Sequence, residues 1–201
     1  MKSTFLKTMG ALAIVGLSTV SASAATYTFT SNGYERIPAT GTSGTTNPYP
    51  LTLDVSGLAN VTDVNLTILG LTHTYSADLD MYLRGPYPSA TVRLMTDEGG
   101  GYNWTDDDLT FDSQASRGYP IPGFSQSIRP DNSLSYFNGR DPNGAWRLYI
   151  YDDARGDRGH IDGWSLTFEA DSISEVPLPA GFPLLIAGLG ALGFMSRRKK
   201  S

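Results

Sequence analysis

The 201-residue chain carries 15 Lys and Arg against 20 Asp and Glu, with two His and no Cys. Its length allows one or two domains, and its cysteine count excludes a disulfide framework and, with two distant His, argues against zinc. Between Ala25 and Ala180 nine Arg oppose sixteen Asp and four Glu, a net charge of −11 that argues against a nucleic-acid or anionic-lipid partner for this part.

The chain opens with Lys2 and Lys7, an apolar run from Gly10 to Val20 and the small residues Ala22-Ser23-Ala24. That order predicts a secretory signal peptide over 1–24, cleaved after Ala24 so that the mature chain begins near Ala25. From Ala25 onwards the pattern is strand and turn, with no helical period longer than a turn or two. Tyr27 and Phe29 alternate with Thr over 26–30, Leu51, Leu53 and Val55 form a second strand, and Val64, Leu66 and Ile68 a longer one. Thr40 to Pro50 reads as loop. Leu79, Met81 and Leu83 point inward, with Asp78, Asp80 and Tyr82 outward; Gly85-Pro86 breaks that strand and Thr91 to Met95 returns it. The stretch 97–112 is acidic and turn-rich around Trp104, and 118–132 is an irregular, Pro-containing connection.

The segment Phe137 to Glu169 is the most strongly patterned. Trp146, Leu148 and Ile150 share one face of a strand, and Trp164, Leu166 and Phe168 share one face of another. This predicts two long antiparallel strands joined by the Asp- and Gly-rich loop 152–163. Short strands at close spacing with a late long pair predict an all-β domain over 25–175, an antiparallel β-sandwich or jelly roll with one core.

At the far end, Val176-Pro177-Leu178-Pro179-Ala180 leads into fifteen uncharged residues, 181–195, and then Arg197-Arg198-Lys199-Lys200. Fifteen helical residues cover about 22 Å, short of the ~30 Å hydrocarbon core, so a transmembrane helix here needs the Pro-rich flank as well. The basic tetrad keeps its end cytoplasmic and the globular part outside. This ensemble resembles the PEP-CTERM sorting signals in their Val-Pro-Leu-Pro-Ala variant. The resemblance implies a Gram-negative bacterium, transient membrane anchoring, and cutting by an exosortase near Val176 to Ala180, with release or attachment at the cell surface.

A second resemblance covers roughly Val61 to Phe168. His73, Asp78-Leu79, the Leu83 to Pro86 turn, the return Thr91 to Leu94, Asn143-Gly144-Ala145-Trp146-Arg147-Leu148 and Gly159 to Leu166 occur in the order seen in the P domain, or P/Homo B domain. That domain follows the catalytic domain of kexin-like and many bacterial subtilisin-like proteases. The resemblance implies a β-sandwich, and the sequence departs from the family's usual setting in that these 201 residues hold no protease domain.

Candidate chemistry is sparse. Gly41-Thr42-Ser43 matches a subtilisin nucleophile tripeptide, but its flanks offer no helix to carry the Ser. His73 falls in the P-domain pattern as a packing residue, and His160 in a solvated loop. Asp78 and Asp80, two apart on one strand face at about 7 Å, suit a solvated acidic face or calcium better than acid-base catalysis. Calcium wants six to eight hard oxygens from flexible Asp- and Gly-rich loops. The favoured ligands are Asp78, Asp80, Asp97 and Asp112; Asp152, Asp153, Asp157 and Asp162 form an alternative set. The expected function is a secreted, non-catalytic structural or binding module. The alternatives are an accessory domain for a subtilisin-like endopeptidase on another chain, and an exopolysaccharide-binding module suggested by eleven Tyr and three Trp.

Overall fold

The computed structural model describes residues 24–171 except 89–90, 119 and 122. Residues 1–23 of the expected export signal and the expected processing stretch Val176 to Ala180, with the helix after it, lie outside the described residues.

Ten strands build two facing sheets: β1 (Ala24–Ile37), β2 (Gly44–Thr45), β3 (Leu51–Val55), β4 (Val61–His73), β5 (Leu79–Arg84), β6 (Thr91–Met95), β7 (Trp104–Phe111), β8 (Gln126–Ile128), β9 (Gly144–Asp152) and β10 (Gly159–Asp171). Sheet A runs β1-β10-β4-β7-β8; in sheet B β9 pairs with β5 on one side and with β2 and β3 on the other, and β6 closes the edge beyond β5. Every pairing is antiparallel apart from β7 with β8.

Period-2 alternation selects the buried face of each strand. Leu66, Ile68, Trp164, Leu166 and Phe168 of sheet A meet Leu79, Met81, Leu83, Trp146, Leu148 and Ile150 of sheet B, all at most 2% exposed. The Trp146 and Phe168 rings pack edge to face across the sandwich at 5.4 Å, and Phe137 packs on Trp146 at 4.7 Å. Each fully buried side chain of this size contributes about 1.5–3 kcal/mol, and the edge-to-face contacts about 0.5–1.5 kcal/mol more. Trp146 keeps its indole N–H satisfied at the Pro142 carbonyl, 2.8 Å away, which removes the main cost of burying a Trp.

Three features depart from the sequence reading. First, β9 and β10 do not pair with each other: they belong to opposite sheets, and the loop between them is an arch over the end of the sandwich. Their apolar faces do meet, across the core rather than along a ladder. Second, 97–112 is not all turn, since β7 occupies Trp104–Phe111 with Leu109 and Phe111 inward. Third, the irregular stretch 118–132 contains β8 beside β7, and Thr40 to Pro50 contains the short β2.

Candidate functional site

Polar chemistry concentrates where β4 ends and the arch from β9 to β10 begins. Gly159, the first residue of β10, lies so close to β4 that a Cβ there would stand 1.8 Å from the Thr72 carbonyl oxygen. Only glycine lets the strands approach this far. The approach seals His73, the last residue of β4, which is fully buried.

His73 bridges the two sheets. Its Nδ1 lies 2.8 Å from the Tyr75 carbonyl oxygen and 3.3 Å from the Tyr75 N–H. Its Nε2 lies 3.2 Å from Oδ2 of Asp152, at the end of β9. Both side chains are entirely shielded from solvent. The other Asp152 oxygen, Oδ1, accepts from the Ala154 N–H at 3.1 Å. Burial pushes the Asp152 carboxyl above its ordinary range, against the pull of His73.

Acidic residues surround this pair. Asp78 lies in the 3₁₀ turn Ser76–Asp78 between β4 and β5, and its carbonyl accepts from the Asp153 N–H at 3.0 Å. Its carboxyl is raised first by burial and then by the neighbouring charges of Asp152, Asp157 and Asp153. The loop carrying Asp97 folds back over this turn: Ala77 donates to the Gly100 carbonyl at 3.1 Å and Ser76 to the Tyr102 carbonyl at 2.9 Å. The Ser76 hydroxyl donates to the Glu98 carbonyl at 2.8 Å and accepts from the Trp104 indole at 2.9 Å.

Asp80 stands one row along β5. The strand alternation places it on the outer face, yet it is only 7% exposed. Tyr151 stands opposite it on β9, and the Asp80 Oδ1 is buried with no partner. Burial raises the Asp80 pKa, Tyr151 opposes the shift, and the charges of Asp153 and Asp97 add to it. The nearby Asp80 carboxylate drives the Tyr151 phenol well above its ordinary range, because ionising it would set two negative charges together.

Asp78, Asp80 and Asp97 thus share one end of the molecule. Asp112 does not join them. It follows β7 at the opposite end, where its Oδ1 accepts from the Gln114 N–H at 2.7 Å and it lines an open groove of about 380 Å³ with Asp63, Asn65 and Glu169. Between the pairs Leu66–Phe111 and His73–Trp104 lie seven residues of strand, roughly 23 Å at about 3.3 Å per residue. Of the alternative set, Asp152, Asp153 and Asp157 fall near Asp78, whereas Asp162 is exposed beside His160. Among the described residues no three carboxylate or imidazole groups converge into a metal cage. Ala24, the expected last residue of the export signal, begins β1 opposite Asp171. His160, read as a solvated loop residue, lies in β10, stacked on Tyr34 with ring centroids 4.5 Å apart.

The model of the family described as the proprotein convertase P-domain matches residues 61–168, more than half of the chain. The chain belongs to that family. The matched stretch of the P domain contains β4 through most of β10, and so His73, Asp78, Asp80 and Asp152 together. Two solved structures of a serine protease from Aeromonas sobria, one in complex with a chaperone, are similar to this P-domain chain at 15% identity, with TM-scores of 0.38 and, for the complex, 0.41. They match 73% and 74% of this chain, which spans only 27% of each of theirs. No curated protein matches the chain.

Proposed function

We propose that this P domain is a non-catalytic binding module, exported across the inner membrane and trimmed by an exosortase for the cell surface of a Gram-negative bacterium. The state of His73 carries the reading. A general base for a serine nucleophile must reach both the hydroxyl and the substrate. His73 is fully buried, and both its nitrogens are engaged, one by a carbonyl and one by a carboxylate. Ser43 cannot supply the missing member, because its hydroxyl donates instead to the Asp152 main-chain oxygen at 3.3 Å. The Asp–His pair therefore ties the sheets together instead of activating a nucleophile. Service to a subtilisin-like protease encoded on another chain fits the same family membership and is the second reading.

Calcium belongs to this proposal as a stabilising ion. Its support is electrostatic: Asp80 Oδ1 is buried without a partner near the charges of Asp97 and Asp153, in a stretch of net charge −11. Carboxylates alone do not form a cage here, so main-chain carbonyls and water would have to complete the shell.

The test of the module is turnover. The purified protein and its Ser43→Ala variant should both leave casein and fluorogenic peptides uncut, and hydrolysis abolished by that substitution would overturn the proposal. Export and trimming are tested by intact mass of protein from the native host's surface fraction. Loss of 1–24 and of most of 181–201 is expected, and retention of the full tail would refute the processing.

A further inference from the structure

The two outer faces of the sandwich differ in chemistry. Sheet A presents short hydroxyls in register: Thr28 bonds Thr167 at 3.2 Å, and Thr67 bonds Thr110 at 2.9 Å. Sheet B presents tyrosine and arginine. In its central pair of strands, Asp80 lies opposite Tyr151, Tyr82 opposite Tyr149 and Arg84 opposite Arg147. Tyr82 and Tyr151 lie nearly parallel, 6° apart at 6.4 Å. Tyr49, from the connection between β2 and β3, packs edge-on against Tyr149 at 5.3 Å and is 43% exposed. Beside it runs an open polar groove of about 540 Å³, lined by Asn47, Thr45 and Ser43 among others.

Two groups on this face are incompletely matched. At one end, Asp80 Oδ1 is a buried acceptor with no donor, which keeps that end acidic and closed to a sugar. At the other end, Arg84 and Arg147 face each other directly; Arg147 Nη1 donates to the Ala145 carbonyl at 3.3 Å, and among the described residues neither guanidinium makes an ion pair. Like charges set opposite in a ladder destabilise it, and an anionic group placed between them would relieve the repulsion. Arg prefers carboxylate for this, through its fork of N–H donors. The two ends are four residues apart on β5, roughly 13 Å at about 3.3 Å per residue.

We propose that the outer face of sheet B binds an acidic, uronate-bearing polysaccharide, with sugar rings on the tyrosines and a uronate carboxylate between Arg84 and Arg147. The outward residues of β9 are Ala145, Arg147, Tyr149 and Tyr151. Tyrosine and arginine serve protein and sugar partners alike. What favours a sugar acid is the facing guanidinium pair, which a carboxylate repeated along a chain matches. A sugar ring offers C–H groups to an aromatic face and hydroxyls around its edge, and tyrosine answers both. The domain's overall negative charge acts weakly at contact, because screening confines distant charges to within about 8 Å at physiological salt, so the two guanidiniums dominate locally. This inference names the ligand of the binding module proposed above.

Affinity electrophoresis of the purified full-length chain through gels containing polygalacturonate or dextran tests it. Retardation by polygalacturonate is expected, weakened about ten-fold in each of Arg84→Gln, Arg147→Gln and Tyr149→Ala, and unchanged in Thr28→Ala on the opposite face. The melting temperature of Arg147→Gln should equal or exceed the parent's, because the like-charge pair is relieved, so lost retardation reports binding and not folding. Absence of retardation, retardation by dextran alone, or arginine variants retarded as strongly as the parent would overturn the proposal. So would a protein partner that requires Tyr149 and is not displaced by polygalacturonate, which would assign the face to protein recognition. Peptidase turnover bears on the non-catalytic reading alone, and polygalacturonate binding on this inference alone.

Discussion

Removing His73 should be among the most damaging single changes outside the apolar core. Its partner Asp152 is completely buried, so a His73→Ala variant leaves Oδ2 unsatisfied between the sheets, while Oδ1 keeps only the Ala154 N–H. Breaking a buried pair from one side costs about 3–5 kcal/mol. At about 2–4 °C per kcal/mol for a protein of this size, the melting temperature should fall by roughly 10 °C. The partly exposed pair Arg93–Asp131, 2.8 Å apart with side chains 49% and 18% exposed, provides the contrast, since surface pairs contribute about 0–1 kcal/mol. The assay is thermal unfolding by circular dichroism at neutral pH for His73→Ala, for Asp152→Asn, for the two combined, and for Arg93→Ala. The double variant should recover part of the loss because the stranded carboxyl is gone. A His73→Ala drop no larger than that of Arg93→Ala, or a double variant as weak as the sum of its parts, would refute an obligatory buried pair.

Asp80→Asn should raise the melting temperature at pH 7. Burial holds Asp80 above its ordinary value of 3.8, so between that value and its folded pKa the native state binds more protons than the unfolded one; stability falls as pH rises through this window and is regained on acidification. The advantage of the variant should therefore shrink towards pH 4, and a pH-independent difference in titrated unfolding curves would contradict this. Gly159→Ala should unfold the protein or abolish its cooperative transition, because the new methyl meets the Thr72 carbonyl; a melting temperature within a degree or two of the parent would show that the strands can part there. Calcium in the millimolar range should raise the melting temperature above that in EGTA and above that in magnesium at matched ionic strength, a stabilisation of roughly 2.7 kcal/mol at about a hundred times its dissociation constant. Equal melting temperatures in all three would remove the ion from the account, and an equal rise with magnesium would leave only charge screening.

Much of the sandwich is legible in the alternation of Trp146, Leu148 and Ile150 and of Trp164, Leu166 and Phe168, since period-2 patterning reports which face of a strand is buried. It does not report which strand lies alongside. That is why β9 and β10 read as a ladder pair when they stand in opposite sheets. The strand β7 hides because Asp106, Asp107 and Asp108 look like loop, and Asp106 does take a positive φ of 58°; the alternation of Leu109 and Phe111 is the signal that betrays it. Asp80 follows the alternation to the outer face, but nothing local shows that tyrosines will cover it. His73 and Asp152 are 79 positions apart, a separation that one sequence cannot bridge without the fold. The tyrosine and arginine face has the same origin, for Tyr82 and Tyr149 become neighbours only once β5 pairs with β9.

The central claim is that His73 and Asp152 join the sheets and activate no nucleophile. A fluorophosphonate probe modifies a serine only when a base has made its hydroxyl reactive, so incubating the native protein with the probe and measuring intact mass addresses the claim directly. No mass increase is predicted, with the unfolded protein giving the same result. A single stoichiometric adduct on Ser43 or Ser76 that disappears in His73→Ala would contradict it.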